Sequence, residues 1–255
     1  MCLVTVYEIK NIIDYRMIPV FKKVKQSIIE SKKFRNYLIY AMGEILLVMI
    51  GILLALQVNN WNEERKLGKQ ESMILTEMNK NLKLDLTHFE TQQEAIKSRL
   101  VKVDHLYNSL INGDLEYSDS LHAYFGAVYG VENIDLNTAN YDDLKSRGFD
   151  LITDDSLRFE INQFYEKAIA KVIDYEVSEK AVNDEMKPFY LRNFTQMEFR
   201  KTAIPIDIDD LINDAFYHNL VYYRKINLES NQLTHHPWII QGMKDLIQRI
   251  DDHLK

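Results

Sequence analysis

One cysteine, four prolines and eight glycines are all that 255 residues offer for stapling, kinking or sharply turning this chain. Cys2 alone forms no intrachain disulfide and no cysteine-based zinc site. Nor is it expected to be a lipoprotein cysteine, since no signal sequence precedes it. An all-β protein needs many turns, so scarce glycine and proline argue for long helices. Catalytic signatures are missing as well. There is no G-x-S-x-G elbow, no phosphate-cradling glycine loop and no cysteine nucleophile beyond Cys2. On these grounds no enzymatic activity and no cofactor are expected.

Charge is plentiful but unevenly spread. Residues 1–36 hold eight basic side chains, among them Lys22, Lys23, Lys25, Lys32 and Lys33, against Glu8, Asp14 and Glu30, a balance of +5. From Asn59 onward 23 basic residues face 34 acidic ones, a balance of −11. So acidic a region argues against nucleic acid as a partner.

Between these parts runs an apolar stretch, Tyr37 to Val58, whose 22 residues include a single carboxylate, Glu44. As a helix it is about 33 Å long, against a hydrocarbon layer of about 30 Å. A buried soluble helix would be shorter. A cleaved signal peptide would need an apolar region of about 7–15 residues and small residues at its cleavage site. The exit "LLALQVNN" lacks them, so the run is expected to stay as a transmembrane anchor with the lipid bilayer as its first partner. The basic flank precedes it, which puts the N-terminus in the cytoplasm and residues from about 60 outside. Trp61 then sits at the outer headgroup level as an interfacial anchor, beside the wet residues Asn59, Asn60 and Asn62.

Glu44 is costly within the apolar layer unless it protonates, finds a partner or faces protein. At 100° per residue, Tyr37, Tyr40, Val48, Gly51 and Ala55 all fall within about 40° of it. Gly51 and Ala55 form a small-xxx-small pair, the spacing that lets two helix backbones approach closely. The stripe reads as a helix–helix interface, which makes a homo-oligomer the expected state. The alternative is that the small residues are merely tolerated and Glu44 snorkels to the cytoplasmic surface. Ahead of the span, residues 17–35 place Phe21, Val24 and Ile28 on one face among lysines. That pattern suits either a short helix on anionic lipid or a solvated basic leader. Residues 1–16 show little pattern.

The stretch "GEILLVMIGILLALQVNNWNEERK", with Tyr37, Leu38, Tyr40 and Ala41 ahead of it, resembles an uncharacterised family of single-pass Bacteroidota membrane proteins, a family built on a domain of unknown function. The match is carried by Gly43, Glu44, Ile50, Gly51, Ile52, Leu53, Ala55, Leu56 and Gln57, then Asn59, Asn60, Trp61 and Asn62. A weaker second match covers "NTANYDDLKSRGFDLITDDSLRFEINQFYE". The resemblance implies an inner-membrane protein with an outward helical domain. It transfers no catalytic residue. It also implies that members begin near Met17, so residues 1–16 are expected to be a mis-assigned start, which a peptide map of the purified protein decides.

Beyond Trp61 the apolar residues Leu67, Ile74, Met78, Leu82, Leu86, Phe89, Ile96, Leu100, Val103, Tyr107 and Leu110 recur mostly at steps of three, four or seven, the mark of an amphipathic helix. Only Gly68 interrupts, so the membrane helix is expected to continue outward as one rod until Asn112-Gly113-Asp114. A shorter helix follows Ser120 and ends at Gly130. Another is capped by Thr138 and closed by Gly148. Asp154 reads as the N-cap of a long helix bearing Leu157, Ile161, Phe164, Ala168, Val172 and Tyr175, which Pro188 kinks or ends. Pro205 and the "DIDD" stretch introduce a helix with Leu211, Ala215, Phe216, Tyr222 and Ile226 inside. Pro237 suits the first turn of a last helix bearing Ile240, Met243, Ile247, Ile250 and Leu254. The predicted fold is therefore all-α. It has a cytoplasmic leader at 1–36, a transmembrane helix at 37–58 and a periplasmic bundle of about four principal helices at 59–255.

Metal ligation finds little support. His235-His236 needs a loop, because neighbours on a helix point apart, and a polar turn before Pro237 is the simpler reading. Asp207, Asp209 and Asp210 lack the glycine and distal glutamate of a calcium loop and read as a helix start. His105, His122 and His218 fall in helical segments with ordinary roles. The expected function is that of an inner-membrane anchor which self-associates and presents a periplasmic helical domain to another envelope protein. The alternative is a periplasmic ligand sensor that signals through a separate cytoplasmic or membrane partner, since about 36 residues are too few for an output domain. An envelope hydrolase would need a pocket of convergent polar groups that the sequence does not display.

Overall fold

The computed structural model describes residues 32–255. The leader, 1–36, and its amphipathic part, 17–35, lie outside the described residues apart from the positions following Ser31. The chain divides into two compact units, residues 1–66 and 67–255. Helix α1, Lys32–Asn112, spans 81 residues and supplies both.

In the first unit α1 carries the apolar run. From Tyr37 to Val58 every residue is exposed except half-buried Ala41. A helix whose apolar side chains find no protein to pack against must bury them elsewhere. Among the described residues this is the one helix long and apolar enough to cross a membrane.

The second unit is almost wholly helical. After α1 come α2, His122–Val128, α3, Ala139–Arg147, and α4, Asp155–Asn193. A hairpin follows, β1, Phe194–Glu198, and β2, Thr202–Pro205, then α5, Ile208–Asn213, α6, Ala215–Ile226, and α7, Leu233–His253. A π-helical segment, Asn227–Gln232, joins α6 to α7.

Local chemistry explains most boundaries. α1 stops where Gly113 takes a φ of +70°, and the Gly113 and Asp114 amides both donate to the Ser109 carbonyl at 3.1 and 3.2 Å. At the start of α4 the Asp154 carboxylate accepts from the amides of Ser156 and Leu157 at 2.8 and 3.1 Å. Ahead of α3 the work expected of Thr138 falls to Asn137, whose side chain accepts from the Ala139 amide at 3.1 Å. Thr138 instead donates to Asp142 at 2.7 Å.

Four expectations change. Pro188 does not end α4, which runs on to Asn193. The proline lies on the exposed face, where water satisfies the carbonyl it leaves without a donor. The helix expected after "DIDD" is two helices, because Asp214 breaks the run and caps α6 by accepting from the Phe216 amide at 2.7 Å. That break resets the inward face. Tyr217, Leu220 and Val221 are buried, while Phe216, Tyr222 and Ile226 are exposed. Pro237 sits not in the first turn of α7 but at its fifth residue, just after the widened turns of the π segment. Finally, the hairpin has no counterpart in the sequence reading. Its strands pair antiparallel, Phe194 with Pro205 and Glu198 with Thr202, and β2 lies on α2 at Gly126.

Two apolar cores result. The first joins Ile74 to Phe89 of α1, Tyr141 and Leu144 of α3, Leu157 to Tyr175 of α4 and Ile239 to Ile250 of α7. The second joins Ile96 to Leu110 of α1, α2, Val182 to Tyr190 of α4, Phe194 and Ala203 of the hairpin, and Leu211, Tyr217, Leu220 and Val221. Leu67, expected inward, is exposed.

Candidate functional site

Two regions of the molecule stand out, one in each unit. In the first, α1 carries Tyr37, Tyr40, Glu44, Val48, Gly51 and Ala55 as helical residues, all exposed. Their helical spacing sets them along one side. A Cβ added at Gly51 would meet nothing within 4 Å, so the notch is open. Trp61 is exposed too, with the Arg65 guanidinium 5.9 Å from its ring centroid. The side-chain amide of Asn59 donates to Glu63 at 3.2 Å.

In the second unit a layer of charge lies buried in the interior. Arg224 of α6 and Glu179 of α4 are both completely buried and pair at 2.8 Å. Arg224 also donates through Nε to the Val128 carbonyl at 2.8 Å and through Nη1 to Asn227 at 3.2 Å. Arg99 of α1 approaches the same end of α2. Its Nε donates to the Ala127 carbonyl at 2.6 Å and its Nη2 to that of Gly130 at 2.9 Å. Two guanidinium groups thus satisfy the carbonyls where α2 ends, the negative pole of that helix. Burial, reinforced by the neighbouring Arg224 charge, pushes the Arg99 pKa down to about 9.

Glu179 answers both positive charges. It also accepts from the Gln232 amide of the π segment and from the backbone amide of Glu132 at 3.3 Å. The Glu132 carboxylate in turn meets Arg200 at 2.5 Å. His236 is fully buried beside this layer, its Nδ1 2.9 Å from the Gln232 carbonyl and its ring 5.8 Å from that of Tyr175. Burial pushes its pKa down, against a smaller upward pull from the Gln232 carbonyl and Glu132. The layer ties α1, α2, α4, α6 and the π segment together, while Arg99 Nη1, Gln232 Oε1 and His236 Nε2 are buried in and beside it without a hydrogen-bond partner among the described residues.

Sequence reasoning missed this layer, although a signal was present. Arg99 continues the inward series Ile96, Val103, Glu179 falls between Tyr175 and Val182, and Arg224 follows Leu220 and Val221. A charge in an apolar stripe marks a buried partner. The sequence predicts a polar turn for His235 and His236 ahead of Pro237. Both lie in α7, and only His236 points inward. Asp207 does begin a helix, accepting from the amides of Asp209 and Asp210 at 3.0 and 3.1 Å. Among the described residues no three metal-type side chains converge.

An open cleft of about 320 Å³ lies between α4 and α7, lined by Phe164, Trp238, Gly242 and Leu246 with a polar rim.

Fold and surface together define an all-α protein with one helix suited to a membrane and a second, separately packed helical unit. The chain belongs to a family of unknown function, DUF6090, whose family model matches residues 44–229. The match takes in Glu44, Gly51, Ala55 and Trp61 and the charged residues of the ionic layer, Arg99, Glu132, Glu179, Arg200 and Arg224, and it ends before Gln232 and α7. No curated protein and no solved structure matches the chain.

Proposed function

We propose that this is a single-pass inner-membrane protein, of the Bacteroidota type that its anchor resembles. In this reading residues 1–36 are cytoplasmic, 37–58 span the membrane and 59–255 form a periplasmic bundle of about four principal helices. The anchor self-associates through Tyr37, Tyr40, Glu44, Val48, Gly51 and Ala55, Trp61 holds the outer interface, and the bundle is presented to another envelope protein. The observation that carries the reading is α1 itself, apolar along 22 residues that no protein covers, with an open Gly51/Ala55 notch aligned with a carboxyl group. Packing a second copy on that side removes Glu44 from lipid and lets backbones approach.

The test is in-cell crosslinking of the tagged full chain with mass spectrometry. Self-crosslinks that disappear in Gly51→Leu/Ala55→Leu, together with a recurrent envelope partner, are the expected result. An unchanged oligomer in that variant overturns the interface. The second reading, a ligand sensor working through a separate partner, is favoured by the open cleft between α4 and α7. Recovery of a cytoplasmic signalling protein in the same crosslinks would move the assignment to it.

A further inference from the structure

The cleft between α4 and α7 has a composition that the membrane reading does not use. Its floor is aromatic. The rings of Phe164 and Trp238 stack with centroids 6.3 Å apart and planes 19° from parallel. Trp238 keeps over a third of its surface exposed at 38%, unusual for the largest apolar side chain. Gly242 makes this floor possible. A Cβ there would come within 2.8 Å of the Phe164 ring, so only a bare backbone lets that ring lie flat against α7. A helix-interior glycine is less favourable than alanine, so the sequence gives up helix stability at this point.

The rim is polar and held on two helices. Glu160 is fixed by Arg249 at 3.0 Å and by Ser156 at 3.2 Å. Asp245 is fixed by the Gln241 amide at 2.8 Å. Gln163 and Lys167 line the same cleft and make no side-chain hydrogen bond within the protein among the described residues. Two oriented carboxylates, two amides and one ammonium therefore surround a stacked-ring floor.

This composition selects among ligands. A wholly apolar ligand would strand the polar rim. Charge does not decide the class, since Glu160 is already paired with Arg249 and the Lys171 ammonium lies 5.2 Å from the Trp238 ring centroid, on the same helix as Lys167. A small metal ion has no use for stacked rings. A pyranose suits every wall, since its C–H face lies on an indole while its ring hydroxyls donate to carboxylates and accept from amides. The volume of about 320 Å³ is at the small end of ligand sites, which run from about 300 to 1,000 Å³, and holds one or two sugar rings.

We propose that this cleft binds a saccharide, stacked on Trp238 and held at its hydroxyl or acetamido groups by Gln163, Gln241, Glu160 and Asp245. The assignment does not rest on the membrane topology, because the test reads the cleft directly in a sugar-free detergent. Trp61 and Trp238 are the two tryptophans of the chain. In the full-length Trp61→Phe protein, emission therefore reports Trp238 alone. Titration with the β-1,4-linked trimer of N-acetylglucosamine and with cellotriose is expected to give a saturable shift for at least one of them. Gln163→Leu, an exposed change that leaves the fold intact, is expected to weaken binding at least tenfold. In Trp238→Leu, with unchanged circular dichroism, saturation transfer from protein to sugar is expected to vanish. Retention of the protein on purified peptidoglycan, released by the trimer, would identify the source as the wall polymer. Binding of the trimer without such retention would assign a free oligosaccharide. Absence of saturation with both sugars, or binding that survives both variants, overturns the proposal.

Discussion

At residue 224 a guanidinium is enclosed with no exposed surface, and its meaning depends on what surrounds it. Truncating one partner of a buried pair strands the other charge, at a cost of about 3–5 kcal/mol. Arg224→Met is therefore expected to lower the urea midpoint sharply, since Glu179 would keep only the Gln232 and Glu132 donors. The double variant Arg224→Met/Glu179→Leu is expected to be no more stable than Arg224→Met, because it leaves the buried Arg99 guanidinium without the carboxylate that answered it. A double variant more stable than the single one would mean that the Ala127 and Gly130 carbonyls suffice for Arg99.

His236 gives a pH dependence whose sign follows from its burial. The unfolded chain takes up this proton as pH falls through about 6.5, and the folded chain only at lower pH. Stability is thus unaffected above that value, falls as pH drops below it, and levels off once the folded imidazole also titrates. His236→Gln should shrink the loss in midpoint between neutral and mildly acidic buffer. An unchanged loss would assign the acid sensitivity to carboxylates alone.

At the scale of elements, Gly126 shows what sequence does not display. A Cβ there would overlap the backbone nitrogen and Cα of Thr202, so α2 and β2 touch main chain to main chain. Overpacking typically costs about 1–3 kcal/mol, and a backbone obstacle puts Gly126→Ala at the upper end despite its better helix propensity. Thermal melting of the full chain reads this directly. The same contact explains why the hairpin was not legible. Its strands are too short for a period-two pattern, and they are fixed by α2, about seventy residues earlier in the chain, rather than by their own residues. By contrast, α4 could be read from its start, because Asp154 and the series Leu157, Ile161, Phe164, Ala168 are local signals. The inward face of α6 was misplaced for one reason. Asp214 acts as a new cap, and a cap within a run resets the phase of everything after it.

At the scale of the whole molecule, the apolar run of α1 was legible because length and composition suffice to recognise it. The ionic layer was legible only as an anomaly, since a lone charge in a stripe does not name its partner. The family match ends at residue 229, so the cleft wall that α7 supplies lies beyond it. If the proposed topology holds, protease added to intact spheroplasts should digest the region after Asn59 and spare the anchor. A full chain left untouched by that protease would reverse the orientation. Carbonate washing is expected to leave the protein in the membrane pellet.

The first core has a further consequence, for the order of folding. Glu71 near its beginning meets His253 at 3.0 Å, across 182 positions of chain, and Ile239, Met243 and Ile250 fill the space between α1 and α4. Contacts that distant form late, since a long loop must close before they contribute. While the chain is being made, Ile74 to Phe89 wait with their apolar faces uncovered until α7 arrives. On the proposed topology a chain tethered to the bilayer by its first helix would pass through that interval held beside a surface. The half-built core is therefore the state most open to a chaperone, and ribosome-bound chains stalled before Leu233 are where such capture should peak.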